Sequence, residues 1–242
     1  MSVRGAFLIE SSLMIANNII FFSIWWIFFQ QFNDVAGWHF KEMTALMAIG
    51  IGAYGLMQIC FGGVRQLSRK IISGDLDPLM TQPKNLLIYL ISSRSLARGW
   101  GHLLTSLVLV IFGELHNLTT LSLVIISIIS GCLVFTSIGI MAHSLAFWWG
   151  PVESLSQKYF DSVFLFALYP TNIYSGFIKF LMFTVIPAGI IGYLPVELIR
   201  NFSWTQLFLL ISSALIFWGV AFLVFYLGLK RYESGNQFGN ST

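Results

Sequence analysis

The sequence predicts an all-α integral membrane protein, one transmembrane domain over residues 1–242 that crosses the bilayer six times. Three observations carry that prediction. Only 10% of the residues are charged and 57% are hydrophobic, whereas the wetted surface of a soluble domain calls for roughly 25% charged residues. Apolar stretches free of charge recur at the length of about 20 residues that a helix needs to cross the hydrocarbon core. Lysine and arginine gather on alternate loops, as they do on the inner side of membrane proteins.

The spans follow in order. The first, residues 11–31, opens just after Glu10. It is long, lacks a small-x-small cleavage site and is followed by further spans, so it reads as a signal anchor and not as a cleaved leader. The second is 43–64. The third has an apolar centre, His102–Gly113, too short to cross alone; it must begin near Leu96 and run over 96–115, with Arg98 snorkelling to the inner headgroups. The fourth is 121–149, and the last, 206–229, closes before Lys230 and Arg231.

Between 153 and 200, Lys158, Asp161, Pro170, Lys179, Pro187 and Pro195 interrupt the apolar pattern. Two readings stand. One places a span at 157–169, followed by two short helices dipping back from the outer face around 175–184 and 188–197. The other places a single kinked span at 176–197. Non-helical backbone at membrane depth survives only where protein or a water cavity surrounds it, so a re-entrant pair would sit against the bundle. Both readings give six crossings in total.

Of the 13 lysines and arginines, all but Lys41, Lys179 and Arg200 fall on one side. That side is expected to be the cytoplasm, with both termini on it and the protein in the inner (plasma) membrane of the cell. Trp38 and Trp204 fall at the expected outer boundaries and Trp100, Trp148 and Trp149 at inner ones, as an aromatic belt requires. No basic run suggests nucleic acid. Cys60 and Cys132 read as small packing residues, and His39 with Glu42 lacks further ligands at metal spacing, so no metal site is expected. Asn17, Asn18, Gln58 and His143 are expected to face the bundle, with His143 near the inner boundary where water reaches it and as a candidate for a transport role; His102 reads as an interface residue.

An ion-coupled secondary transporter would place titratable groups at mid-membrane. The four clear spans hold no Asp or Glu, which argues against it. A membrane-embedded transferase needs a nucleophile or base with partners, and the acidic residues here are scattered. Ala45, Ala48, Gly52 and Gly55 share one face of span two, and Gly131 and Gly139 one face of span four. Small faces serve packing within a subunit and between subunits alike.

The loop 65–95 is the one extended polar region. Gly74 is placed to end a helix in the left-handed conformation. Asp77 suits an N-cap with Pro78 at the first helical position. Pro83 restarts a second helix, on which Leu86, Leu87, Leu90 and Ile91 form an apolar stripe. The product is a short helix at the inner surface, either an ordinary connection or a docking element for a cytoplasmic partner. The tail 233–242 is polar and expected to be mobile.

Three stretches, in this order and spacing, resemble the permease subunits of ABC-2 type transporters over nearly the whole chain: Ser73–Leu79 through Gln82–Pro83, the pairs Tyr169–Pro170, Ile186–Pro187 and Leu194–Pro195, and Gly228–Ser234. The amino terminus is shorter than in that family, so its interfacial helix before span one is reduced to Met1–Glu10. The resemblance implies a type V exporter-like architecture, with a re-entrant helical hairpin before the last span that carries Pro170, Pro187 and Pro195. It implies a translocation pathway formed with a second copy or a paralogous permease. It also implies a coupling helix, with Gly74, Asp75, Leu76, Asp77, Pro78, Leu79 and Pro83, that docks a separate cytoplasmic ABC ATPase. ATP and magnesium would sit on that partner and no cofactor in this chain, which is not itself expected to be an enzyme. The sequence indeed contains no G-x-x-x-x-G-K-[ST] phosphate loop. Walls of Phe, Ile and Leu serve lipid contact and an apolar pathway alike, so the cargo is not legible.

Overall fold

The computed structural model describes residues 3–232 apart from 33 and 36; the tail 233–242 lies outside the described residues. The first helix, α1, runs over Val3–Gln31. It is one continuous rod, so the described part of the expected interfacial segment simply extends the first span. Ser11, a residue type suited to capping a new helix, instead donates its hydroxyl to the Ala97 carbonyl at 2.9 Å. α2, Phe40–Cys60, starts with Glu42 accepting the His39 N–H at 3.0 Å, which satisfies one of the free donors of a helix start. A 3-10 turn, Gly62–Gln66, then turns the chain early, four residues before the expected end of span two. Glycine is required there, because a Cβ on Gly63 would meet the Ile91 carbonyl at 2.8 Å.

Three short helices follow: α3, Leu67–Ile72, α4, Asp77–Met80, and α5, Leu86–Ser92. α6, Ala97–Phe112, departs from α5 at a bend of 75°. α7, Leu118–Ser144, continues into a single turn, α8, Ala146–Trp149. α9 covers Glu153–Ala167. After Pro170 come α10, Gly176–Thr184, a π turn, Gly189–Tyr193, and α11, Leu194–Arg200. α10 and the stretch 189–200 meet at 79°, an elbow and not two antiparallel legs. Pro187 lacks the N–H that would continue α10, and Pro195 sits in the first turn of α11, where that lack costs nothing. The chain closes on α12, Trp204–Leu229. Among the described residues, four helical stretches meet the length and hydropathy of a membrane span unaided, and six do if each bent pair is one span.

α2 is the central post, buried from Met43 to Gly55, with α6 and α7 against it; α1 flanks α6 and α12 flanks α7. In lipid, apolar side chains gain nothing by leaving the solvent, so contact and hydrogen bonding hold the helices together. The small face of α2 provides the contact within the chain. A Cβ on Gly52 would strike Ile128 at 2.9 Å, and one on Gly55 would strike the Gly99 carbonyl at 2.9 Å. Ala48 accepts the Ser106 hydroxyl at 2.6 Å, and Ala45 is buried near the opposite end of α2. Gly131 lies against Ala53, and Gly139 against Val64. At the centre the Tyr54 ring stacks on Phe164 at 3.9 Å.

The polar residues of the spans are placed differently from expectation in several cases. His102 is buried, not interfacial: Asn18 crosses over it from α1, with Nδ2 3.1 Å from its ring. His143 is also sealed from water, because α3 folds back beneath the bundle and Ser68 Oγ lies 2.9 Å from its Nδ1. Gln58 and Asn18 face the interior as expected, whereas Asn17 is exposed on α1. Trp38 is no headgroup anchor; it is fully buried beneath the Arg200 guanidinium, while Trp204 is exposed. Cys132 packs inside and Cys60 is exposed.

Candidate docking site at the basic end

The stretch between α2 and α6 builds a lever whose joints follow from its residues. α3 ends at Gly74, with φ +81°, and the Asp75 N–H reaches back to the Lys70 carbonyl at 3.2 Å. That is the closure a left-handed glycine permits. α4 begins one residue earlier than the sequence suggested: Leu76 takes the cap position, Asp77 is the first helical residue and Pro78 the second. The shift follows from Leu76, which is 0% exposed and shares the core of Leu67, Ile71, Leu87 and Phe225. Pro83 likewise precedes the cap of α5 and does not open the helix; the cap is Asn85, whose Oδ1 accepts the Ile88 N–H at 3.0 Å. Leu86, Leu87, Leu90 and Ile91, the apolar stripe read from the sequence, are all buried.

α4 itself buries no residue. Leu79 rests partly against the core, and Met80 is 50% exposed. The element is thus a short helix with an open face, pinned at its base.

Two sets of tethers join this lever to the bundle. The first comes from the end of α12. Tyr226 donates its hydroxyl to Asn85 Oδ1 at 3.2 Å. The Tyr232 ring meets Phe147 edge-on at 6.3 Å. Burial, and then the Asp77 and Asp75 carboxylates beside it, push the Tyr232 hydroxyl up from 10.0 to about 12. A group whose proton is held more tightly in the fold contributes stability below its ordinary value of 10.0 and loses it as pH rises through about 12. The unfolding temperature should therefore fall across that window, and Tyr232→Phe is expected to remove this part of the fall.

The second set is a ladder to α9. Arg69 pairs with Glu153 at 2.7 Å, and Arg65 with Asp161 at 3.1 Å. Between them, Gln157 accepts from Arg65 Nη2 and donates to the Arg65 carbonyl, both at 3.1 Å. Arg65 also donates to the Tyr54 hydroxyl at 2.8 Å. This ladder is not among the features expected from the sequence. Its signal was present: Glu153, Gln157 and Asp161 recur every fourth residue on one helix face, matching Arg65 and Arg69 one turn apart.

Pro170, Pro187 and Pro195 are all buried, away from the loop 65–95. The elbow they shape is fastened at the opposite end of the bundle, where Arg200 donates to the Gly37 carbonyl at 3.0 Å and lies 3.6 Å from Glu42. Beside the elbow, Ile138, Met141, Tyr159, Val185 and Phe217 line an apolar cavity of about 550 Å³.

Two of the three stretches that carried the resemblance therefore converge, the segment after α12 packing on the segment after α3, while the proline-bearing stretch lies apart from them. The family described as ABC-2 family transporter protein matches residues 13–236 of the chain. No curated protein and no solved structure matches it. With a match over nearly its whole length and apolar helices fit to span a bilayer, the chain belongs to the ABC-2 transporter family as a multi-pass membrane component.

Proposed function

We propose that the chain is the permease half of an ATP-driven exporter, that it works as a pair with a second permease, and that α4 docks a separate ATPase at the cytoplasmic face. The observation that carries this is an exposed helix, α4, held on a lever tethered to both α9 and α12. A motor subunit pressing on α4 moves those two helices directly. ATP and its magnesium belong to the motor, and the basic end faces the cytoplasm with both chain termini.

In this reading α9 and the elbow together make the fifth of six crossings. α9 starts at the basic end, where Glu153 meets Arg69, and the elbow finishes at the opposite end, where Arg200 meets Glu42. α9 has 15 residues, about 22 Å of helix, which is short of the hydrocarbon core. The elbow re-enters from the outer side, and its irregular backbone is buried: Gly192 lies against the Ala167 carbonyl and Leu46, and Ile191 against Gly131.

Pairing is supported by α1. Leu13, Asn17, Ile20 and Ile24 lie exposed along one of its faces, and an amide in lipid finds no partner unless another protein supplies one. Asn17→Leu is expected to weaken dimerisation by about 1 kcal/mol, checked by energy transfer between labelled copies diluted in lipid.

The deciding experiment is copurification with an ABC ATPase in mild detergent. Met80→Glu places a charge at the exposed docking face and should reduce ATPase retention about tenfold. Asp77→Lys or deletion of 74–83 should abolish retention. If the folded Met80→Glu and Asp77→Lys proteins both retain the ATPase and its stimulation, α4 is not the docking helix.

A further inference from the structure

At the basic end, beside the lever and distinct from its docking face, lies a polar cleft of about 280 Å³. Four guanidinium groups, Arg65, Arg69, Arg94 and Arg98, and two carboxylates, Glu10 and Glu153, line it. One positive charge, Arg94, is left without an acidic partner among the described residues, and a second, Arg98, is held only loosely. Arg65 is committed to Tyr54, Gln157 and Asp161, and Arg69 to Glu153. Arg98 reaches Glu10 only at 3.8 Å, and Arg94 has no acidic partner among the described residues. An anion with several oxygens suits this arrangement, because guanidinium groups bind phosphate through paired donors.

The cleft does not end in water. It shares Glu10, Arg94 and Leu96 with a second cavity of about 350 Å³, walled by Phe7 on α1 and Trp100 on α6. Phe7 and Trp100 are exposed, and beyond them α6 presents Leu104, Leu107 and Val108, also exposed, along its span. A charged cavity thus opens onto an apolar track that runs into the bilayer.

We infer that this double cavity binds an anionic phospholipid, its phosphate held by Arg94 and Arg98 and its acyl chains laid along α1 and α6. A free phosphate would use only the first cavity; a lipid uses both. Basic pockets between helices at a cytoplasmic surface recognise such headgroups. The bound lipid would clip the α5–α6 bend, which carries Arg94 and leads into Arg98, to α1, which carries Phe7, and so brace the far end of the lever against the membrane. The inference rests on the basic end facing the lipid-rich cytoplasmic leaflet.

The test uses the full chain without an ATPase, in neutral phosphatidylcholine nanodiscs. Titrating in phosphatidylglycerol should raise the unfolding temperature saturably, whereas further phosphatidylcholine should not. Arg94→Gln, at an exposed position outside any ion pair, should weaken the phosphatidylglycerol effect about tenfold, and Arg94→Gln with Arg98→Gln more. Lys158→Gln, a basic-end charge outside the cleft, should leave it unchanged. Phe7→Ala should weaken the lipid effect but not any effect of inorganic phosphate. Equal response to phosphatidylcholine, or an Arg94→Gln, Arg98→Gln protein that responds as the native chain does, would overturn the proposal. Inorganic phosphate matching phosphatidylglycerol, with Phe7→Ala indifferent, would make the cleft a free-anion site and overturn the lipid assignment. Because no ATPase is present, these outcomes are independent of docking: Met80→Glu should bind lipid normally.

Discussion

Gly55→Leu is expected to break the bundle, with loss of the folded protein in a detergent or bicelle unfolding assay. Gly55 and Gly99 face each other in mutual backbone contact. A Cβ on Gly55 would lie 2.9 Å from the Gly99 carbonyl and 2.9 Å from Leu103 N, and one on Gly99 would lie 2.8 Å from the Gly55 carbonyl. The backbone atoms met on both sides cannot swing aside as a side chain could, so the helices themselves must separate. Overpacking of a dense interior costs about 1–3 kcal/mol per intrusion and more where backbone must move. Here the separation also pulls Ser106 from the Ala48 carbonyl and shifts His102 away from Asn18. Each of those leaves a polar group in an apolar setting. Gly55→Ala should show a smaller loss of the same kind. Gly219→Leu is the control: no atom lies within 4 Å of its Cβ position, and that variant should unfold as the native chain does. Equal stability of the Gly55→Leu and Gly219→Leu proteins would mean that α2 and α6 are not so closely apposed.

The contrast between these glycines marks what the sequence can and cannot convey. The small face of α2 was legible because its period is helical, but its partner was not. Gly99 lies near the entry of α6, where no small-residue pattern announces it. Likewise the apolar stripe of α5 and the left-handed closure at Gly74 were readable from local chemistry. The caps of α4 and α5 shifted by one and three residues, because burial of Leu76 and the engagement of Asn85 by Tyr226 come from distant parts of the chain. His102 and His143 were misplaced for the same reason. Whether a histidine meets water depends on what folds over it, and Asn18 and Ser68 lie 84 and 75 residues away in the chain. The stretch 153–200 defeated periodicity because three prolines cut it into pieces shorter than the pattern needs.

If α4 docks an ATPase as proposed, Leu76→Ala should separate ATP hydrolysis from movement of the permease. Leu76 is the one residue at the base of α4 that is 0% exposed, and it lies outside the spans, where burial removes apolar surface from water. Truncating a buried leucine costs about 2–5 kcal/mol, which shifts a docked-to-loose equilibrium of the lever by well over tenfold. The open face of α4, including Met80, is untouched by the change. The ATPase should therefore remain bound and hydrolyse ATP, while its stroke no longer reaches α9 and α12. A readout that needs no known cargo is thiol labelling at Val185→Cys in a Cys60→Ser background, since Val185 lines the apolar cavity beside the elbow. ATP should change the labelling rate in the otherwise native chain. With Leu76→Ala that change should vanish while hydrolysis persists; with Met80→Glu both should fall together, in step with ATPase retention. Loss of ATPase binding by Leu76→Ala as severe as by Met80→Glu would show that Leu76 shapes the docking face itself, and the lever would no longer explain how force enters the membrane.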